Sequence, residues 1–410
     1  MRLFCTILAV MYRSTIRACY VGSFSMALVS NLTPLLFIIL MDSYGLTFEQ
    51  VGRLTLINFL TQIIADIAFS EPVDRWGVRP FVVAGHFCCA AGLVMFAISP
   101  MLAPTSPYPL FMLTTVIFSA GGGLLELLLS PIIQAIPGDE KAKAMSLLHS
   151  FYAWGFIAVV VVTTVLLALL GNGNWPFIML GWSLLPLANA LTFTRVPLAP
   201  QVSEDKRMPV RALLTSAFFC VAILGIATGG AAEVAMSQWI SAFTERALGL
   251  SKQTGDLVGL CLFAALLGTG RALYGKFGDK IDVSTAMLYG AIGSTVCFLG
   301  AALSPHPLLS MGFCALNGLS VSLLWPGSIV LAAAKFPLAG ASMFALLAAA
   351  GDTGASVGPW MIGLIADHAA GGLRTGLLIG AIFPLTMIFC MLSLRAKLRD
   401  SRQTMADRIQ

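Results

Sequence analysis

The chain has 410 residues, 58% of them hydrophobic and 10% charged, with a mean hydropathy of +0.89 and a formal net charge of +5. Soluble domains carry about 25% charged residues, so this chain cannot cover a water-facing surface of its size, and lipid must be much of its solvent. That excludes an ordinary soluble domain, and the modest positive charge by itself does not indicate nucleic acid.

The first apolar stretch, Leu3–Met11, is too short to span a bilayer, and Arg13 and Arg17 separate it from the first long one. No small-residue cleavage site follows, so the first true span is expected to act as an uncleaved insertion signal. A helix needs about 20 apolar residues to cross, and twelve such spans are predicted. The first six are Tyr20–Met41, Val51–Ser70, Pro80–Ile98, Tyr108–Ile136, Ala144–Leu170 and Trp175–Thr194. The second six are Ala212–Phe243, Thr254–Tyr274, Val283–Leu303, Leu308–Ala334, Ala341–Ala366 and Leu373–Leu394. Long unbroken apolar runs without strict alternation argue for helices over barrel strands. Gly and Pro inside the spans, as at Gly121-Gly122-Gly123 and Gly358-Pro359, suit close helix approach and kinks.

The longest polar interruption, 195–211, divides the spans six and six. The expected domains are therefore a bundle over 1–194, a linker over 195–211, a second bundle over 212–394 and a basic tail over 395–410. All Lys and Arg except Arg53, Arg246, Lys252 and Arg374 fall on one side of this layout. The positive-inside rule then places both termini in the cytoplasm and supports an even number of spans. The nine cysteines are scattered without metal-ligand or redox spacing and read as small apolar residues.

Two charged turns interrupt the apolar pattern. One runs Ser70-Glu71-Pro72-Val73-Asp74-Arg75-Trp76-Gly77-Val78-Arg79, the other from Gly270-Arg271 through Gly275 to Gly278-Asp279-Lys280. Asp74 and Asp279 are separated by half the chain length, the mark of a duplicated bundle. The same alignment makes Asp66 and Arg271 equivalent with opposite charge. Both are expected near the cytoplasmic ends of their spans, either in contacts of an inner gate or in permanent local salt bridges beside each loop. Aligning Gly155 with Gly358 sets His149 opposite Asp352.

The first turn, with Asp74, Arg75, Gly77 and Arg79, resembles the loop after the second helix of the major facilitator superfamily. The second copy keeps Gly275, Asp279 and Lys280 but has Asp282 in place of the first copy's Gly77. Within that superfamily the chain resembles the fucose and glucose/galactose permease branch. The matching residues are Gly122-Gly123-Leu124-Leu125-Glu126, Leu148-His149-Ser150-Phe151, Gly230-Ala231-Ala232-Glu233 with Trp239, Leu324-Trp325-Pro326-Gly327 and Ala350-Gly351-Asp352-Thr353-Gly354. The branch has a carboxylate near an asparagine in its first helix, where this chain offers only Asn31. It has an asparagine where His149 stands. The resemblance implies an all-α integral membrane protein with two pseudo-symmetric six-helix bundles, a sugar as substrate and the proton as coupling ion.

An ionisable side chain deep in a span is costly unless it is paired or functional. At 1.5 Å per residue, Glu126 is expected about 15 Å and Asp352 about 16 Å from the ends of their spans. Glu233 is expected in the outer half of the seventh span and His149 toward the cytoplasmic side of the fifth. Burial favours a neutral carboxylic acid, so Glu126 or Asp352 is expected to bind a proton when occluded and to release it into a wet cavity. Structural hydrogen bonding between helices is the competing reading for Glu126, Asp352, His149 and Glu233. Trp239 and Trp325 offer flat faces to a sugar ring, or pack and anchor, and Asn317 is a candidate donor. Gly121-Gly122-Gly123 lacks the Lys and the strand of a phosphate loop, and neither a hydrolase nor a metal constellation is present. The chain is therefore expected to be a transporter, not an enzyme, and to need no cofactor or metal. It is expected to act in the plasma membrane as a monomer, with lipid and a small solute as partners and no nucleic acid. A drug or metabolite/proton antiporter and a non-transporting membrane sensor are the alternatives.

Overall fold

The structure is a computed structural model that describes residues 12–136, 141–199, 210–277, 281–336 and 340–407. Among these residues there are helices and turns but no strands. The chain divides into two compact units, Met1–Ser203 and Glu204–Gln410.

The first unit is built from α1 (Arg13–Asn31), α2 (Phe37–Tyr44), α3 (Phe48–Trp76), α4 (Val78–Leu102), α5 (Tyr108–Ala135), α6 (Lys141–Leu170) and α7 (Trp175–Phe193). The first predicted span is broken: α1 and α2 are joined by the 3-10 turn Thr33–Leu36. Pro34 accounts for the break, because it has no amide hydrogen to continue the α-helical ladder. The centre of this unit is α5, which packs on α1, α3 and α4. Its three consecutive glycines point in three directions, about 100° apart around the helix. A Cβ on Gly121 would lie 2.4 Å from the Gly85 carbonyl of α4. One on Gly122 would lie 3.1 Å from Val29 of α1, and one on Gly123 2.9 Å from the Gln62 carbonyl of α3. Three neighbours thus reach the backbone of one helix at one level.

The second unit comprises α8 (Ala217–Arg246), α9 (Cys261–Phe277), α10 (Val283–Leu303), α11 (Pro307–Val321), α12 (Leu324–Lys335), α13 (Gly340–His368), α14 (Leu373–Gly380) and α15 (Ile382–Asp407). Three of its predicted spans are irregular. The eighth opens with a π-helix, Gly255–Leu260; the tenth is split between α11 and α12, and the twelfth between α14 and α15. Pro326 and Pro384 stand four residues after the carbonyls left free at the last two breaks. The closest seam joins α8 and α13, where a Cβ on Gly354 would fall 1.8 Å from the Ala227 carbonyl.

Eleven described helices are long and apolar enough to cross a membrane. The remaining predicted span, 341–366, is helical within α13. It falls short in apolar character because Gly351, Asp352, Thr353, Gly354 and Ser356 dilute its middle. Exposed side chains such as Ile67, Leu169, Phe177 and Phe389 would be a liability in water; against hydrocarbon they match their solvent. Three of the four basic residues outside the predicted cytoplasmic segments are held locally. Arg53 grips Glu49 through bonds of 2.7–3.0 Å, Lys252 pairs with buried Asp256, and Arg374 donates to the carbonyls of Ala302 at 3.0 Å and Ser304 at 2.9 Å.

Candidate functional site

In the first unit, Asn58, Gln62 and Asp66 stand one turn apart on α3, facing Ser119, Gly123 and Glu126 of α5. Asn58 Oδ1 accepts from Gln62 Nε2 at 2.7 Å and from Ser119 Oγ at 2.8 Å. Its Nδ2 donates to the Val29 carbonyl of α1 at 3.3 Å. One turn further along, a carboxylate oxygen of Asp66 and one of Glu126 lie within 4.8 Å of each other. Asp66 Oδ1 is buried and accepts no hydrogen bond from the described residues. This is a correction to the expected inner-gate position of Asp66. It lies seven residues, about 10 Å, before the end of the apolar span Phe48–Val73, and its neighbour is the carboxyl of Glu126. The absence of a side chain at Gly123 lets the two helices come this close.

His149 lies in α6, and its side chain is outside the described residues. A histidine not singled out in the sequence, His86, is fully buried in α4. Its Nδ1 donates to the Val82 carbonyl at 2.7 Å and its Nε2 accepts from Asn189 Nδ2 at 2.7 Å. Asn189 Nδ2 also donates to the Ala18 carbonyl at 2.9 Å. These partners define the neutral Nδ1–H tautomer, and they occupy both ring nitrogens. Asn31 uses one amide N–H within its own helix: its Nδ2 donates to the Ala27 carbonyl at 2.9 Å, just ahead of the α1–α2 break.

The charged turn of the first unit has distinct local tasks. Gly77 adopts φ 80° between α3 and α4, a conformation that favours glycine. Arg75 pairs with Glu71 one turn away in an exposed ion pair. Arg79 donates to the carbonyls of Phe193 at 2.7 Å and Val196 at 2.8 Å, binding the negative end of the α7 dipole. The Asp74 side chain is outside the described residues.

In the second unit, Arg271 Nη2 donates to both carboxylate oxygens of Glu233, at 3.0 and 3.1 Å. Its Nε donates to the Ser322 carbonyl at 3.2 Å, the carbonyl that Pro326 leaves without its helical partner. Glu233 and Arg271 were expected at opposite depths, one in the outer half and one near the cytoplasmic end. The ion pair brings the two charged groups to one level, although Arg271 stands three residues from the end of the apolar span Lys252–Tyr274. Trp325 lies over backbone: a Cβ on Gly351 would be 2.5 Å from its ring and one on Gly230 2.8 Å. Asp352, next to Gly351, is buried.

Two expectations for solute contact are overturned by the packing. Trp239 is fully buried and donates through Nε1 to the Pro359 carbonyl at 2.8 Å, so neither ring face is open. Asn317 is also fully buried; it donates to the Ala232 carbonyl at 3.3 Å and accepts from Ser294 Oγ at 2.7 Å. Of the second charged turn, Asp279 and Lys280 lie outside the described residues, and Gly275 is described only as helix. Asp282, standing where the first copy has Gly77, caps α10. Its Oδ2 accepts from Ser284 Oγ at 2.6 Å, Thr285 Oγ1 at 2.7 Å and Thr285 N at 2.9 Å.

Sequence reasoning missed Asn58, Gln62, Ser119 and His86. The signal for the first two was present, since polar residues at 58, 62 and 66 repeat at the helical interval along an otherwise apolar span.

An all-helical membrane protein with broken spans and ionisable groups within them has the construction of a secondary transporter. The chain belongs to the major facilitator superfamily, whose family model matches residues 19–280. It is thus a multi-pass membrane transporter and not an enzyme. Its fold is similar to that of a D-xylose–proton symporter, with TM-score 0.77 and 15% identity, covering 94% of this chain and 97% of that one. It is also similar to a single-substitution mutant of the nucleoside transporter NupG, with TM-score 0.75 and 14% identity over 92% and 99% of the two chains. The transporter FucP in its outward conformation gives TM-score 0.63 and 17% identity over 94% and 99%. No curated protein matches the chain in sequence.

Proposed function

We propose that the protein is a proton-coupled symporter of a small polar solute, with a sugar the favoured class. The observation that carries this reading is the juxtaposition of Asp66 and Glu126, whose carboxylate oxygens lie within 4.8 Å inside the spans of the first unit. Two carboxylates this close repel each other, and one proton between them removes the conflict. Loading and unloading that proton changes the charge of the unit by one, which couples it to a solute that reports the same state of access. The sugar class is supported by the resemblance to the fucose and glucose/galactose branch and by the fold shared with a D-xylose–proton symporter. The proton is the coupling ion of this reading, and no cofactor enters it. The location is the plasma membrane, with both termini in the cytoplasm as the distribution of Lys and Arg indicates.

The test is reconstitution in proteoliposomes with a panel of sugars under imposed proton and sodium gradients. Uptake should follow the proton gradient. Asp66→Asn and Glu126→Gln should each abolish accumulation while leaving solute exchange across the membrane intact. Full proton-driven accumulation in either variant would sink the proposal, and efflux of apolar cations would put an antiporter in its place.

A further inference from the structure

The end of the first unit where α1 begins and α7 finishes carries positive charge without a paired carboxylate among the described residues. Arg13, Arg17 and Arg195 are exposed there, and no described carboxylate pairs with any of them. Arg79 adds to this charge, its guanidinium donating to the carbonyls of Phe193 and Val196, which flank Arg195. The two chain segments are tied together by Thr15, whose Oγ1 donates to the Pro197 carbonyl at 2.5 Å.

Between them opens a cavity of about 420 Å³, lined by Ser14, Leu191, Thr192, Arg195, Val196 and Pro197. Its character is divided. Ser14 and Thr192 carry hydroxyls and Arg195 a guanidinium, while Leu191, Val196 and Pro197 give an apolar wall. Arg17 follows Ser14 by three residues and so shares its face of α1. The cavity also lies at the terminus of two spans, the depth at which lipid headgroups meet a membrane protein.

From these features we infer that the cavity is a binding site for the headgroup of an anionic phospholipid. The phosphodiester is held by Arg195 and Arg17, and the glycerol and upper acyl chain lie along Leu191 and Val196. A free phosphate satisfies the guanidinium groups but leaves the apolar wall against water, which is why the lipid is the occupant assigned. Basic pockets between spans on the cytoplasmic side are sites of this kind, and the predicted orientation places this end there.

The experiment is a titration of the full-length protein in neutral detergent, with binding read by native mass spectrometry. The probes are phosphatidylglycerol, phosphatidylcholine and glycerol phosphate. Phosphatidylglycerol should bind in preference to phosphatidylcholine. Arg195→Gln and Arg17→Gln should each weaken it about fivefold, and the double variant about twenty-five-fold, since a basic residue near an anionic surface contributes about 1 kcal/mol. Thr192→Trp fills the cavity without changing charge and should remove the preference. The site is refuted by equal binding of the two lipids to the wild type, or by an Arg195→Gln/Arg17→Gln variant that binds phosphatidylglycerol as the wild type does. It is equally refuted if Thr192→Trp keeps the full preference, which would reduce the effect to general surface charge. Glycerol phosphate competing on equal terms would assign the site to a soluble anion and overturn the lipid.

Discussion

Pro326 has no amide hydrogen to offer the Ser322 carbonyl, and Arg271 supplies one from another helix while holding Glu233 with the rest of its guanidinium. Removing the arginine therefore strands two groups at once, a carboxylate and a carbonyl. Arg271→Ala is expected to lower stability by about 2 kcal/mol, discounted because the Arg271 side chain is 40% exposed. Adding Glu233→Gln should recover part of that loss in a double-mutant cycle read by thermal unfolding in detergent. Strict additivity would show that the two side chains are not coupled. Asp282 poses the same question at a helix end. The hydroxyls of Ser284 and Thr285 hold its carboxyl below the usual carboxylate range. A group with a depressed folded value contributes stability above its unfolded value of about 4, and that contribution disappears as pH falls through the folded value. Asp282→Ala should accordingly lower the unfolding midpoint at pH 7 by the equivalent of about 1 kcal/mol, with the difference from wild type closing in acid. A gap that stays constant down to a pH of about 2 would exclude the cap as its source.

At the level of elements, the helices are positioned by what glycine leaves out. Gly354 faces the Ala227 carbonyl across the α8–α13 seam with no room for a methyl group, whereas Gly312 in α11 has open space around its Cα. Gly354→Val should cost at least about 3 kcal/mol, because a backbone carbonyl cannot step aside as a side chain can. Gly312→Ala should be neutral or gain up to about 1 kcal/mol from helix propensity. Comparable expression and melting of the two variants would contradict this role for the seam. The breaks in α1–α2, α11–α12 and α14–α15 sit at prolines that are plain in the sequence. The consequence of each break is not plain there, because it depends on which neighbour takes up the freed carbonyl. Arg271 could be seen as a charge in a span, but its reach to Ser322 belongs to the packing.

Over the whole molecule, the spans were legible because the hydrocarbon thickness imposes a length that composition records directly. The duplication was legible because its two charged turns survive in part. Depth within a span was harder to judge. Asp66 and Arg271 were assigned to the cytoplasmic ends from their distance to a turn, yet the partner each side chain reaches, Glu126 for one and Glu233 for the other, is not written in that distance. Of the expected solute contacts, Trp239 and Asn317 proved to be interior ties, since a polar atom in a span looks the same in sequence whether it faces a cavity or a carbonyl. The two units also use different residues for similar ends. Asn58 ties α3 to the Val29 carbonyl and to Ser119, while Asn317 ties α11 to the Ala232 carbonyl and to Ser294. Gly77 and Asp282 begin equivalent helices by a left-handed turn in one case and a side-chain cap in the other.

The triple glycine of α5 bears on the order in which the chain is assembled during synthesis. Its three partners, α1, α3 and α4, all precede it in the chain, so each has left the ribosome by the time α5 emerges to meet them. The first unit can therefore join its centre after four of its spans have been made. In the second unit the closest seam pairs α8 with α13, and three intervening spans must be produced before that contact can exist. During that interval the glycine face of α8 waits uncovered in the bilayer. The later unit is thus the one whose biogenesis is most exposed to interruption, and to whatever holds a half-made bundle open.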